Sequence, residues 1–378
     1  MQRILVPLLF VLSACSNGTF QSSYTSIVLT PKFALGQPDF DTTTGGSGAA
    51  GLQHPYGVFV QGTQLFVSDA GNHRVLVWDS LPTTFAQPAD RVIGQSSFTG
   101  TSANQGGSTN QNTLYNPSGL WATASHLYVS DTGNNRLLYY ALPVAATNAN
   151  ATAVLGQTTF TANGSGTSGL EMDNPRSVAV GGGNLYVSEL SNNRVLVFGS
   201  ETPSTGTGAA HVLGNAAFAS GVYGTSSTRF SNLRGLFFLG SRLFLADTDN
   251  CRIVMWSTLP NYDNDIAVDA VLGQPDFVTG TSNSGNVAAN NFFNPVHVST
   301  NGTYTFVSDS TDSRVLVFDG IPSGEQDAKY VVGQSSFSAH GTGTSGFRLN
   351  GPQGVNATST ELYVADFGNH RVLVYDLP

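Results

Sequence analysis

The chain has 378 residues, with 15 Lys and Arg against 24 Asp and Glu, a net charge of −9, and only 10% charged residues. Charge-poor composition with 43 glycines disfavours a helical protein, because the strong helix formers Glu and Lys are scarce. An apolar fraction of 40% excludes disorder, and the negative balance argues against a nucleic-acid partner, which wants clustered Lys and Arg.

The first segment has one early positive charge, Arg3, and then the apolar run Ile4 to Leu12. Nine helical residues span about 13 Å, well short of the ~30 Å bilayer core, so the run reads as a signal segment over 1–14. It ends in Leu12-Ser13-Ala14-Cys15. Small residues followed by a cysteine after an apolar run resemble the lipobox of bacterial lipoproteins. That resemblance implies cleavage before Cys15, acylation of Cys15, and stable anchoring by several acyl chains. Ser16, rather than Asp, after the cysteine is similar to an outer-membrane sorting signal. Residues 15–30 then read as the lipidated N-terminus and a polar tether. Cys251 is the only other cysteine, so the lipidated form has no intramolecular disulfide.

Next comes a segment around Phe33 to Gln37, the first copy of a motif Leu-Gly-Gln-x-x-Phe. It recurs from Ile93, Leu155, Leu213, Leu272 and Val332. A second motif is an apolar run, an acid, four residues, and Arg. Its copies are Asp69 with Arg74, Asp131 with Arg136, Glu189 with Arg194, Asp247 with Arg252, Asp309 with Arg314, and Asp366 with Arg371. The period is 57 to 62 residues. Each copy follows a segment like Asn116-Pro117-Ser118-Gly119 and precedes a run like Val75-Leu76-Val77-Trp78. The runs are short, rich in β-branched and aromatic residues, and bounded by Gly, Asn, Pro or Asp, which is the strand signature.

Four short strands per repeat, six times over, predict an all-β, six-bladed β-propeller over residues 31–378. The acid-to-Arg segment is then the tight connection between second and third strands. Its fourth position (Asn72, Asn134, Asn192, Asn250, Asp312, Asn369) reads as the residue that takes the left-handed conformation. The six acid–Arg pairs read as structural. The first Leu-Gly-Gln has no acid–Arg copy before it, and the last copy has no Leu-Gly-Gln after it. The N-terminal strand is therefore predicted to be the outer strand of the last blade, which closes the ring and removes an edge.

The segments Asn116-Pro117-Ser118-Gly119-Leu120 and Leu127-Tyr128-Val129-Ser130-Asp131-Thr132-Gly133-Asn134-Asn135-Arg136 resemble the NHL repeat. The chain carries Asn-His-Arg or Asn-Asn-Arg where the family has Asn-His-Leu, and its period is longer. The excess falls in loops 99–115, 161–173, 219–231, 278–293 and 338–350. These are predicted to crowd one face, where a rigid scaffold displays binding residues.

Two sets of candidate ligand residues follow. His54, His73 and His370 fall on the loop face of neighbouring blades, and three converging ligands are what a metal such as zinc needs. Arg176 and Arg234 take the middle place of the Asn-Pro-x-Gly segment in blades three and four, with His297 near that level in blade five. The trio is a candidate anion site at the channel mouth. Asp263-Asn264-Asp265 lacks the glycine and terminal Glu of an EF-hand calcium loop. Neither a nucleophile elbow nor a phosphate loop occurs, so no catalytic residue is assigned.

The expectation is an outer-membrane lipoprotein of the bacterial envelope. It acts as a monomeric binding or interaction scaffold for a protein or glycan ligand on the loop-rich face. Its only membrane contact is the anchor, and nucleic acid is not a partner. The alternative is a propeller enzyme, a lyase or hydrolase, with zinc or calcium at the channel mouth; otherwise no cofactor is expected.

Overall fold

The computed structural model describes residues 27–219, 221–258, 263–283 and 286–378, and these form six sheets. Two strands come first in the chain, β1 (Ile27–Val28) and β2 (Pro31–Leu35). Blade one follows as β3 (Pro55–Gln61), β4 (Gln64–Asp69), β5 (Arg74–Trp78) and β6 (Arg91–Ile93). Blade two is β7 (Leu120–Ala122), β8 (His126–Asp131), β9 (Arg136–Ala141) and β10 (Ala153–Leu155). Blade three is β11 (Pro175–Gly181), β12 (Asn184–Glu189), β13 (Arg194–Phe198) and β14 (His211–Leu213). Blade four is β15 (Leu233–Leu239), β16 (Arg242–Asp247), β17 (Arg252–Trp256) and β18 (Ala270–Leu272). Blade five is β19 (Pro295–Thr300), β20 (Tyr304–Asp309), β21 (Arg314–Asp319) and β22 (Tyr330–Val332). Blade six has only β23 (Pro352–Ala357), β24 (Glu361–Asp366) and β25 (Arg371–Asp376) from its own repeat. Each inner strand packs on the next, and β23 returns to β3, so the ring is closed.

The fourth strand of blade six is β2. It pairs antiparallel with β25, matching Phe33 to Val374 and Leu35 to Val372. This is the expected closure, shifted by two residues. One boundary differs from the expectation. β1 runs parallel to β22 as a fifth strand of blade five, and Leu29 is buried. Strand pairing is therefore already present at Ile27, four residues before the expected boundary at 31. Residues 1–26, including the signal segment and Cys15, lie outside the described residues. No helix among the described residues is long and apolar enough to cross a membrane.

The middle strands are buried on both faces because blades stack face to face. Hence β5 reads Arg-Val-Leu-Val-Trp with every residue buried, rather than alternating. Near the axis the inner strands approach so closely that side chains have no room. A Cβ on Gly119 would lie 2.6 Å from Ser177 Cα, and one on Gly235 would lie 2.6 Å from His297 Cα.

The acid–Arg pairs are the hubs of each blade. In blade two, Arg136 Nε donates to Asp131 at 2.7 Å, and both side chains are fully buried. The rest of the Arg136 guanidinium donates to the carbonyls of Asn110, Thr113 and Phe160. Asp131 also accepts from the Tyr115 N–H at 2.7 Å and the Asn134 amide at 2.8 Å. One arginine thus ties the long loop before its blade to the phenylalanine after it. Equivalent arginine contacts run through Arg74, Arg194, Arg252, Arg314 and Arg371. Burial pushes the Asp69, Asp247 and Asp309 carboxyls up to about 6, against the nearby guanidiniums.

The left-handed residue of the turn is one place later than expected. His73, Asn135, Asn193, Cys251, Ser313 and His370 have φ near +50°. The Asn before each is needed elsewhere: in five blades its side-chain amide holds the acid of the pair.

Candidate functional site

The connections between second and third strands share a face with the long loops, since each acid of the pair accepts an N–H from the end of its loop. Every exposed large apolar side chain among the described residues lies in these loops: Tyr115, Leu170, Val222, Tyr223, Val278, Phe293 and Phe347. Tyr223 and Val278 are 73% and 72% exposed. Among the described residues no other surface presents such groups, which marks this face as a candidate for being covered.

At the axis of that face, residues from three blades converge. Tyr56 begins the inner strand of blade one, Arg176 that of blade three and Arg234 that of blade four. The Arg176 guanidinium lies over the Tyr56 ring at 5.5 Å. Burial alone would push the Tyr56 hydroxyl up, but the guanidiniums of Arg234 and Arg176 outweigh it and hold its pKa below the ordinary phenol value. The Tyr56 hydroxyl and the Arg176 Nε are both buried and meet no partner at full hydrogen-bond geometry, although both guanidiniums stand close enough to the hydroxyl to interact with it. Arg234 Nε reaches only Asn232 Oδ1, at 3.4 Å. Among the described residues neither arginine forms an ion pair, whereas Arg91 pairs with Asp79 and Arg229 with Asp265.

Three residues further along the same strands the channel is filled. Trp121 packs on Phe59 with ring centroids 4.9 Å apart and on Phe237 at 5.2 Å. All three are buried. Two cationic groups and a phenol therefore stand over an apolar floor, where charges interact more strongly than in open water. The arrangement suits an anion, which would complete the donors left without partners.

His297 does not join the arginines. It stands where blades one, two, four and six carry glycine and blade three carries Ser177, and its Nδ1 faces the Val355 N–H of blade six at 3.5 Å. Ser177 Oγ makes the same contact with the Leu236 N–H one blade pair earlier, at 3.0 Å. Burial lowers the His297 pKa to about 4, so the ring is neutral and contributes no positive charge.

The three candidate metal ligands are not brought together either. His54 and His370 are neighbours, with ring centroids 4.3 Å apart, but His370 Nδ1 accepts the His54 N–H at 3.0 Å. His73 belongs to the next junction, where its Nδ1 accepts the Asn116 N–H at 3.1 Å. In blades two and three, Asn135 and Asn193 make that contact with Asn174 and Asn232. The position is an inter-blade tie, and histidine at it is an acceptor. The Nδ1 atoms of His73 and His370 are committed to backbone N–H groups, which leaves the proton on Nε2, and His54 Nδ1 faces the Gln53 amide, so the three side chains as placed do not make a zinc site. Among the described residues no cluster of three or more His, Cys, Asp or Glu side chains can hold a metal ion. Cys251 occupies the same position in blade four. Its thiol donates to the Phe293 carbonyl, and burial pushes its pKa up to about 12.

Sequence reasoning missed Tyr56. The place it fills holds Tyr, Ser, Arg, Arg, Val and Gln around the ring, so no repeat marks it. The signal available was position: any bulky polar residue in that place points to the axis.

Residues 349–375 match the NHL repeat. The span runs from the end of the last loop through β23 and β24 into β25, so the match falls on the last blade of the six. No curated protein matches the chain. Among solved structures, a virginiamycin B lyase from Staphylococcus aureus is 11% identical, with a TM-score of 0.42. That likeness covers 86% of this chain and 96% of the lyase. A streptogramin B lyase is 10% identical over 94% of this chain and 100% of its own, with a TM-score of 0.49.

Proposed function

We propose that the protein is a binding propeller of the bacterial envelope, anchored outside the cytoplasm through acylated Cys15, whose loop face takes a ligand with its anionic group between Arg176 and Arg234. The observation that carries this reading is the pair of guanidiniums without carboxylate partners over an apolar floor. Each repeat arginine is paired with a buried acid, so two arginines without a carboxylate partner among the described residues, one of them with a buried Nε left over beside the Tyr56 hydroxyl, are an exception to that pattern. Like charges held close are destabilising until a counter-charge arrives, which makes the site favour an anion over water. The exposed apolar side chains of the loops supply contact area around it.

Thermal unfolding with and without succinate, at matched ionic strength, tests the site. A ligand that binds only the folded state raises the melting temperature. Succinate should raise it for the natural protein and leave R176Q/R234Q unchanged. An equal rise in both proteins would place the anion elsewhere and overturn the reading.

A further inference from the structure

Blade five departs from the other hubs at one residue. Five blades place an asparagine beside the acid–Arg pair, and blade five has Asp312 there. Arg314 therefore faces two acids, Asp309 at 3.1 Å and Asp312 at 3.4 Å, and the hub carries a surplus negative charge. A carboxylate has no N–H to give. The donor comes instead from the long loop before the blade, where the Asn283 amide donates to Asp312 at 2.6 Å.

Blade two shows what this exchange leaves over. There the Asn104 and Asn134 side chains donate to each other, at 3.1 and 2.9 Å, so each amide uses both its ends. Asp312 returns no hydrogen bond, and Asn283 Oδ1 is left buried and without a partner in a residue only 8% exposed. Asp312 only accepts, so it holds the amide nitrogen inward and the amide cannot turn over to satisfy its oxygen. A buried oxygen in that state is costly until something outside the hub meets it.

Asn283 lines a cavity of about 320 Å³, together with Gln274, Thr281, Asn290 and Glu325. No lysine, arginine or histidine is among the described residues of its wall. The exposed Glu325 carboxylate accepts from the Asn290 amide at 3.1 Å and forms no ion pair among the described residues, whereas Asp319 pairs with Lys329. The cavity thus offers oxygens, a net negative charge and no competing cation.

We propose that this cavity is a calcium site, separate from the channel mouth, with Asn283 Oδ1 and the Glu325 carboxylate as protein ligands. Its donors are amide as well as carboxylate oxygens, so no cluster of acids marks it. Calcium takes about six to eight oxygens in a flexible geometry, amide carbonyls and waters among them, and a cavity of this volume has room for the waters. Zinc prefers nitrogen and sulfur, which the wall lacks, and magnesium demands a near-ideal octahedron. Asp312 acts from behind. By accepting the Asn283 N–H it polarises the amide and makes Oδ1 a stronger ligand, and the bound cation offsets the surplus charge of the hub.

Equilibrium dialysis of the purified full-length protein, stripped with a chelator and then equilibrated with calcium chloride, tests the site. The natural protein should retain one calcium per chain and prefer it to magnesium and zinc. Asp312→Asn installs the residue of the other five blades, supplies a donor to Asn283 Oδ1 and removes the surplus charge. It should keep the fold, as its melting curve would show, and lower calcium affinity about 10–100-fold. Glu325→Gln, an exposed substitution, should weaken binding about tenfold by removing a ligand charge. R176Q/R234Q should retain calcium like the natural protein. No calcium retained at millimolar free concentration would overturn the proposal. Equal retention by Asp312→Asn or by Glu325→Gln would place the ion elsewhere and overturn it too. Tighter retention of zinc than of calcium would contradict the oxygen ligands.

Discussion

The guanidinium of Arg371 donates to the carbonyl of Phe40, 331 residues earlier in the chain. Each of the other five repeat arginines makes this contact with the phenylalanine that follows its own blade. In blade six the following phenylalanine lies at the start of the chain. The last arginine therefore closes the ring by the same chemistry that joins each blade to the next loop, and Gln37 adds a hydrogen bond to the His370 carbonyl at 3.1 Å.

Deleting Thr30 to Phe40 should destabilise the whole propeller. It strips β25 of its partner strand and exposes the packing of Phe33 and Leu35, both buried. Burying a Phe or Leu is worth roughly 1.5–3 kcal/mol, and a typical domain has about 5–15 kcal/mol in all. The comparison is thermal unfolding against a chain trimmed only to Ser16. Melting within a couple of degrees of each other would mean that the N-terminal strand does not close the ring.

Arg136→Met should cost about 3–5 kcal/mol in denaturant unfolding, because it leaves the buried Asp131 carboxylate without its cation. Arg136→Lys should rescue little of it, since an ammonium cannot reach Asp131, Asn110, Thr113 and Phe160 together. Arg91→Ala, which breaks a half-exposed pair with Asp79, should stay within about 1 kcal/mol. Similar losses for the buried and the half-exposed pair would remove the structural role assigned to the hubs.

Burial lowers the pKa of His73, and burial together with the His54 charge lowers that of His370. Both accept a backbone N–H through Nδ1, and protonation destroys the acceptor. A lowered pKa means the folded state binds fewer protons than the unfolded chain, so this contribution is present above about pH 6.5 and is lost as pH falls below it. Asn makes the same tie in blades two and three without titrating. In H73N/H370N the stability gain over the natural protein should therefore grow between pH 8 and pH 5, by roughly 1–3 kcal/mol for the two contacts. Taking the difference cancels the repeat carboxyls, which the two proteins share. A difference independent of pH would show that the two histidines are not ties.

Cys15→Ala should release the protein from the membrane fraction and leave its melting temperature unchanged, since the six sheets are built from residues 27 onward. Retention of the variant in washed membranes would contradict the lipid anchor.

The blade count, the closing strand and the structural use of the acid–Arg pairs were legible because each recurs six times or completes a count. The axis was legible only in part: the shared repeat place of Arg176 and Arg234 put both at the channel mouth, but it wrongly added His297 and gave no sign of Tyr56, whose place holds a different residue in most blades. The histidines at 73 and 370 invited a metal reading through their shared repeat position. Asn135 and Asn193 at that same position carried the better signal, since an amide replaces imidazole as a hydrogen-bond acceptor far more readily than as a zinc ligand.

The most direct measurement of the channel-mouth site is the carbon-13 resonance of the Tyr56 ring, labelled at Cζ and identified by its loss in Y56F. The phenol lies under the Arg176 guanidinium and beside Arg234, so an anion docking there changes its charge environment at once. Succinate should shift this resonance saturably in the natural protein and leave it unmoved in R176Q/R234Q. A Tyr56 resonance that stays in place in the natural protein while succinate still stabilises the fold would contradict the assignment of the ligand site to the channel mouth.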